Sequence, residues 1–254
     1  MVTWTGVRPL IESQRMRKMV LAGAAIAAGY VAYQAKSPNA QRWGRGFHRG
    51  RRDRQQIALT FDDGPTDWTL AVLEVLERHR VPATFFFCGL NVERRPDLAA
   101  FVQSRGYEIG NHTYSHPLLL ALPRQRILDE LTRTQQIIRQ VVGVQPTLFR
   151  PPYGCRAPSL RSVEQELALT EVLWTVIGND WSASTAVISQ RVLDGAEAGG
   201  VVCLHDGDSV RPESDRSRTV ASLKEFLPVL LDDGYSFVTA GAMLRGLVSA
   251  GASP

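Results

Sequence analysis

The chain has 254 residues, 44% of them hydrophobic, which suits one large domain, since α/β barrels reach ~250 residues undivided. Its formal charge of +4 comes from one end: residues 1–54 hold 11 Lys and Arg against 2 Asp and Glu, leaving 18 against 23 for the rest. The folded part is therefore mildly acidic, which excludes a basic nucleic-acid groove as an expectation.

At the start of the chain, Arg15, Arg17 and Lys18 precede an uncharged run from Met19 to Tyr33. This is the layout of a positively charged region followed by an apolar one. The run is shorter than the ~17–25 residues a spanning helix needs. It ends at Tyr33, where a signal peptidase would want a small residue. Residues 1–36 are expected to be an uncleaved N-terminal membrane anchor, with a cleaved signal peptide as the alternative; both place the protein outside the cytoplasm, anchored or secreted. Residues 37–54 are rich in Pro, Asn, Gly and Arg, with Arg42, Arg45, Arg49, Arg51, Arg52 and Arg54 close together. Such a stretch reads as a solvated, disordered linker.

From Ile57 onward, short β-rich runs alternate with helical patterns. Strands are expected at 57–61, 83–88, 107–110, 147–150, 171–177, 200–205 and 236–239. Helices are expected at 69–79, 96–105, 123–142, 159–168, 185–196 and 219–233. Alternation of this kind means βαβ units and a parallel sheet. The strands are nearly continuous apolar runs, as in sheets covered on both faces, and the predicted architecture is a distorted (β/α)7 barrel forming a single domain after the N-terminal hydrophobic segment. Functional residues then belong at the C-terminal ends of the strands. No glycine-rich nucleotide loop follows a strand. The three cysteines, Cys88, Cys155 and Cys203, are an odd number without metal-type spacing and imply no disulfide framework. Cys88 and Cys155 fall near the active face and read as small buried apolar residues.

The strand ends carry chemistry. The first ends in Thr60-Phe61-Asp62-Asp63-Gly64-Pro65, and two adjacent carboxylates repel unless a cation or a proton separates them. The third is followed by Asn111-His112-Thr113-Tyr114-Ser115-His116. Histidines at i and i+4 share one face of a helical turn, and with one aspartate they make a three-ligand set that leaves coordination positions open. The fourth strand ends in Arg150-Pro151-Pro152-Tyr153-Gly154, a rigid segment whose guanidinium can hold whichever aspartate is not on the metal. The fifth ends in Asn179-Asp180-Trp181 and the sixth in Leu204-His205-Asp206-Gly207. A carboxylate beside an imidazole raises its pKa and fixes its tautomer, as a general acid requires.

In this order, the series Thr-Phe-Asp-Asp-Gly-Pro, His-Thr-x-x-His, Arg-x-Pro-Tyr-Gly, Asp-Trp and Leu-x-His, the last departing here in having Leu204 and His205 adjacent, resembles the polysaccharide deacetylases of carbohydrate esterase family 4, the NodB homology domain. The resemblance covers about residues 56–240, and implies a catalytic domain over 55–245 and a C-terminal tail over 246–254. It implies metal-dependent hydrolysis of acetyl groups on an N-acetylglucosamine polysaccharide such as peptidoglycan or a chitin-like oligomer. Carried over by position, Asp62 is the general base, Asp63, His112 and His116 the metal ligands, Arg150 the partner orienting Asp62, and His205 the general acid tuned by Asp180. The backbone N–H of Tyr153 helps hold the oxyanion, Trp181 and Leu204 form the acetyl-methyl pocket, and Pro151 lies beside the substrate. The family often has an Asp three residues before the Asp-Trp pair, where this chain has Ile177. One divalent ion is expected, Zn²⁺ first, with Co²⁺ or Ni²⁺ also suited to the donor set. The expected partners are the polysaccharide and, through the N-terminal segment, a membrane; nucleic acid is not among them, and a monomer is expected. The alternatives are an O-acetyl esterase acting on a polysaccharide such as xylan and a non-catalytic envelope glycan-binding domain. Non-haem iron oxygenation shares the ligand set but has no use for Asp62, Arg150 and His205.

Overall fold

Gln56–Asp62 forms strand β1, buried from Ile57 to its end. Successive side chains alternate between its two faces. Ile57, Leu59 and Phe61 join the large core cluster, while Ala58 joins a second, smaller one. The same alternation places Thr60 and Asp62 on the Ala58 side, inside the curled sheet. The computed structural model describes residues 7–249, with side-chain burial from residue 16.

The other strands are β2 (Thr84–Phe87), β3 (Glu108–Asn111), β4 (Leu148–Phe149), β5 (Thr170–Glu171), β6 (Val176–Ile177), β7 (Gly200–His205) and β8 (Ser236–Val238). The helices are α1 (Val7–Lys36), α2 (Asp67–His79), α3 (Gly89–Arg94), α4 (Pro96–Ser104), α5 (Arg124–Val142), α6 (Leu160–Glu166), α7 (Thr185–Gly195), α8 (Ser217–Asp232) and α9 (Ala240–Val248). The sheet is parallel, in the order β5-β4-β3-β2-β1-β7-β6, and β8 pairs with the start of β1 beside β2. This is the expected distorted barrel in a single domain. Helix ends follow local rules: Thr66 caps α2 in a reciprocal capping box with Thr69, and Gly143 ends α5 at φ 76°.

The expected fifth strand is split. Its first part pairs with β4 and its second with β7, so the two edges of the sheet meet through the bend between Glu171 and Val176. The bend turns two carbonyls, those of Val172 and Leu173, toward the Arg150 guanidinium. Helix α9, absent from the expected set, packs Ala240, Met243 and Leu247 against Ala58, Phe86 and Val201. It reaches Val248, past the expected start of the tail, whose residues 250–254 lie outside the described part.

The N-terminal region differs most from expectation. Helix α1 is exposed from Met16 to Tyr33. Among the described residues no helix is long and apolar enough to cross a membrane, so the expected spanning anchor is not supported: the uncharged run is too short. The stretch expected to be a disordered linker is packed, with Ala40, Trp43 and Phe47 buried. Phe47 bridges to Val172 in parallel, its N–H donating to Glu171 O at 2.8 Å and its carbonyl accepting from Leu173 N at 2.7 Å. Composition points to disorder here because only three apolar side chains are buried, and the other buried residues, Gly44, Gly46 and Gly50, are of a type that reads as flexible linker.

Candidate active site

β1 ends at Asp62, and Asp63 takes a left-handed backbone, φ 77°. That turn lets neighbouring carboxylates converge on one site although an extended chain would point them apart. The reversal lies at Asp63 itself, one residue before the Gly64-Pro65 step. The Asn91 side chain donates to the Asp63 carbonyl at 2.6 Å. Gly64 N–H donates to Asp206 Oδ1 at 3.2 Å, in a space that a side chain at Gly64 would fill.

The donor atoms of Asp63, His112 and His116 lie within 4.8 Å of one another. Asp63 Oδ1 is 3.6 Å from His112 Nε2 and 3.4 Å from His116 Nε2. Two ligands on one tetrahedral ion with bonds of about 2.0–2.2 Å stand about 3.4 Å apart, so the set fits a single ion. His112 Nδ1 donates to the Arg150 carbonyl at 2.8 Å, which leaves Nε2 with its lone pair directed at the site. Burial pushes the pKa of His116 down to about 4, with Asp63 opposing, so this imidazole is neutral as a ligand must be.

The two histidines do not sit on a helical turn, as their spacing alone would suggest. The loop has Thr113 at φ 67° and His116 at φ 56°. Glu130, on α5, accepts from Tyr114 N at 2.9 Å, Ser115 N at 2.8 Å and Ser115 Oγ at 2.8 Å. Asn111 Oδ1 accepts from Thr113 N at 2.8 Å. These side chains take the loop's N–H groups, so no helical turn is needed to satisfy them.

Asp62 is held differently, although its Oδ2 lies 3.9 Å from His112 Nε2. Arg150 Nη1 donates to its Oδ1 at 2.7 Å and to Thr60 Oγ1 at 2.8 Å. Arg150 Nε reaches Val172 O at 3.0 Å and Nη2 reaches Leu173 O at 3.3 Å, while the Phe86 ring lies under the guanidinium. Burial works to raise the Asp62 pKa, but Arg150, His112 and His205 outweigh it and hold the carboxyl below its usual range. Cys203 Sγ donates to Asp62 Oδ2 at 3.4 Å, and Cys88 Sγ to Asp63 Oδ1 at 3.7 Å. Each aspartate thus has a thiol beside it, a contact that motif spacing does not reveal, although Cys203 and Asp62 lie on paired strands. Cys155 is away from the cluster, packed with Ala35 and Trp43.

Across the site, His205 Nδ1 donates to Asp180 Oδ1 at 2.8 Å, and His205 N to Asp180 Oδ2 at 2.8 Å. Thr219 Oγ1 adds a third bond to that carboxylate at 2.6 Å. Burial opposes the imidazolium, but the Asp180 charge and hydrogen bond prevail and raise the His205 pKa to about 9. Trp181 is half exposed with its ring edge-on to His205, and Leu204 is fully buried in the main core. Tyr153, also half exposed, packs edge-on against His116, and Pro151, two residues earlier, is buried. Asp206 is not among the expected site residues: burial, opposed by a bond from Thr69, pushes its pKa to about 7. Its position beside His205 is the only sequence signal it carries.

The fold and the site define the class: a (β/α) barrel with a donor set of two histidines and one aspartate on its C-terminal face, beside a held carboxylate and a held imidazole whose ligand atoms lie within 4.8 Å of each other. The family model described as polysaccharide deacetylase matches residues 49–172. The solved Bc1960 peptidoglycan N-acetylglucosamine deacetylase superposes with a TM-score of 0.72 at 32% identity, over 78% of this chain and 92% of that one. The chain belongs to the polysaccharide deacetylase family, carbohydrate esterase family 4. It is similar to the peptidoglycan-N-acetylglucosamine deacetylase PgdA of Listeria monocytogenes, 36% identical over 187 residues, or 73% of this chain; it spans 38% of that relative's length. It is also similar to BA3943 of Bacillus anthracis, described as a family pseudoenzyme, with a TM-score of 0.73 at 26% identity over 79% of this chain and 69% of that one.

Proposed function

We propose that the protein hydrolyses the acetyl group of N-acetylglucosamine units in an extracytoplasmic polysaccharide, with peptidoglycan as the first candidate. The observation that carries this reading is the division of labour between neighbouring carboxylates: Asp63 faces two imidazoles while Asp62 is bound by Arg150. A divalent ion bound to Asp63, His112 and His116, zinc by donor type, would supply Lewis acidity toward the acetyl carbonyl.

The chain's own residues perform the proton transfers. Asp62, ionised and aimed by Arg150, takes a proton from the attacking water. His205, protonated at neutral pH through Asp180, gives one to the departing sugar amine. The Tyr153 N–H donates to the oxygen that gains charge. Trp181 borders the space for the acetyl methyl, with Pro151 fixing the adjacent wall; Leu204, expected there from the motif, instead packs with Phe61 in the main core on the opposite face of the sheet from Asp62 and His205. The catalytic unit runs from about residue 55 through the end of α9 at Val248, and the substrate named for the relatives favours a position outside the cytoplasm.

Acetate release from peptidoglycan, chitin oligomers and acetylated xylan, with and without a chelator, tests the reading. Loss of release on chelation and its return with Zn²⁺ are expected. Release from xylan alone would make the protein an O-acetyl esterase. Asp62→Asn is expected to lower turnover by roughly 10²–10⁴ with metal content unchanged; near-native turnover would remove Asp62 as the base. A second reading, glycan binding without hydrolysis, draws on the pseudoenzyme relative. Every expected catalytic position is filled in this chain, which favours hydrolysis.

A further inference from the structure

The family match begins at residue 49, yet the residues before it are built into the catalytic face. The C-terminal end of α1 and the segment after it run along Tyr153–Arg161. Arg156 N–H donates to Ala35 O at 2.9 Å, and Arg156 Nη1 donates to Ser37 O at 2.5 Å and Ala40 O at 3.0 Å. Arg161 N–H donates to Trp43 O at 2.9 Å. Ala35, Trp43 and Cys155 form a small apolar cluster of their own. The exposed Lys36 donates from Nζ to the Tyr153 carbonyl at 2.8 Å.

Tyr153 needs such support. Its backbone is left-handed, φ 58° and ψ 10°, a conformation that a side-chain-bearing residue rarely adopts and that persists only where its surroundings fix it. Two hydrogen bonds close the turn around it, Gly154 N to Pro151 O at 2.9 Å and Cys155 N to Pro152 O at 3.0 Å. Both lie within the loop and move with it. The Lys36 bond ties the Tyr153 carbonyl to a different part of the chain, and the Arg156 bonds anchor the loop's far end to the same part.

We infer that Lys36 is a positioning residue for Tyr153, and that residues 34–43 brace the catalytic face instead of merely leading up to it. The catalytic half of this inference rests on the proposed role of the Tyr153 N–H. Donors at an oxyanion act through position, and displacement of about 1 Å at a reacting centre costs on the order of 10²-fold. The Lys36 bond is one of several restraints, so its loss should cost less than that.

The test compares Lys36→Met and Lys36→Arg with the native sequence in the full chain. Because Lys36 is exposed, neither variant should change the melting temperature. Lys36→Met is expected to lower kcat by about tenfold with KM within about twofold, and Lys36→Arg, which can still donate, to restore most of it. Hydrogen exchange of the 151–157 peptide, read without any substrate, is expected to quicken in Lys36→Met and not in Lys36→Arg. Unchanged exchange would overturn the brace. Faster exchange with native kcat would overturn the positioning role. If the native chain releases no acetate from any substrate, the deacetylase reading fails and takes the positioning role with it, while exchange still decides the brace.

Discussion

Two arginines six residues apart, Arg150 and Arg156, are both fully buried and both held 2.7 Å from a carboxylate, yet their surroundings differ. Each nitrogen of the Arg150 guanidinium has an acceptor: Asp62, Thr60 and two carbonyls. Asp62 is accordingly kept ionised. Arg156 binds Glu171 and two carbonyls of the brace, but its Nη2 has no hydrogen-bond partner. Burial raises the Glu171 pKa in spite of the pairing. The nearby Glu164 is driven to about 8 by burial and by Glu171, with one of its oxygens unpartnered. The first pair has every charge answered and serves chemistry. The second shares one cation between two acids and joins the N-terminal segment to the barrel, so a buried ion pair is not by itself the mark of a reacting site.

Breaking each pair should separate them. Arg150→Met leaves a carboxylate that the site otherwise holds charged; it should lower stability by about 3–5 kcal/mol, and turnover of the folded fraction by at least about 10²-fold. Chemical denaturation and acetate release measure the two losses, and a native-like turnover would dissolve the contrast. Arg156→Met should cost less, about 1–3 kcal/mol, because Glu171 already leans toward taking a proton and can neutralise itself. Its loss should shrink as pH falls toward the ordinary carboxylate range, whereas a loss independent of pH would show that Glu171 stays charged.

A smaller effect is expected at Gly44, where an added methyl would run into the Glu171 carboxylate. Gly44→Ala should destabilise by about 1–3 kcal/mol through overpacking, and an unchanged melting temperature would mean the segment yields freely. A last contrast concerns pH. Glu164 titrates near 8 in the folded chain against an ordinary 4.5, so the folded state retains a proton that the unfolded state gives up. The corresponding stability is fully present below about pH 4.5 and is lost as pH rises through about 8. Glu164→Gln stays neutral and should flatten the decline of melting temperature between pH 5 and 8; an equally steep decline would place its origin elsewhere.

The site is legible in the sequence because its parts lie at the ends of strands, and strands announce themselves by apolar runs: Asp62, His112, Arg150, Asp180 and His205 can each be placed by the run that precedes or contains them. Residues that act across the fold are harder to see. The Glu130 side chain that shapes the His112–His116 loop is a helix residue whose partners lie fifteen and sixteen positions away. The packing of residues 34–47 is hidden by composition, since glycines and arginines that fit closely around Arg156 and Glu171 have the same letters as a solvated linker. Short α3 and the bend that splits the fifth strand leave no periodic trace.

That bend has a consequence for how the site can vary over generations. Two of the groups aiming Arg150 are the carbonyls of Val172 and Leu173, and a carbonyl is present whatever side chain its residue bears. Substitution along this seam can therefore proceed without disturbing the proton acceptor at Asp62, provided the path of the main chain is kept. Insertion or deletion of a single residue there would rotate both carbonyls away. The base is thus buffered against changes of letter and exposed to changes of length.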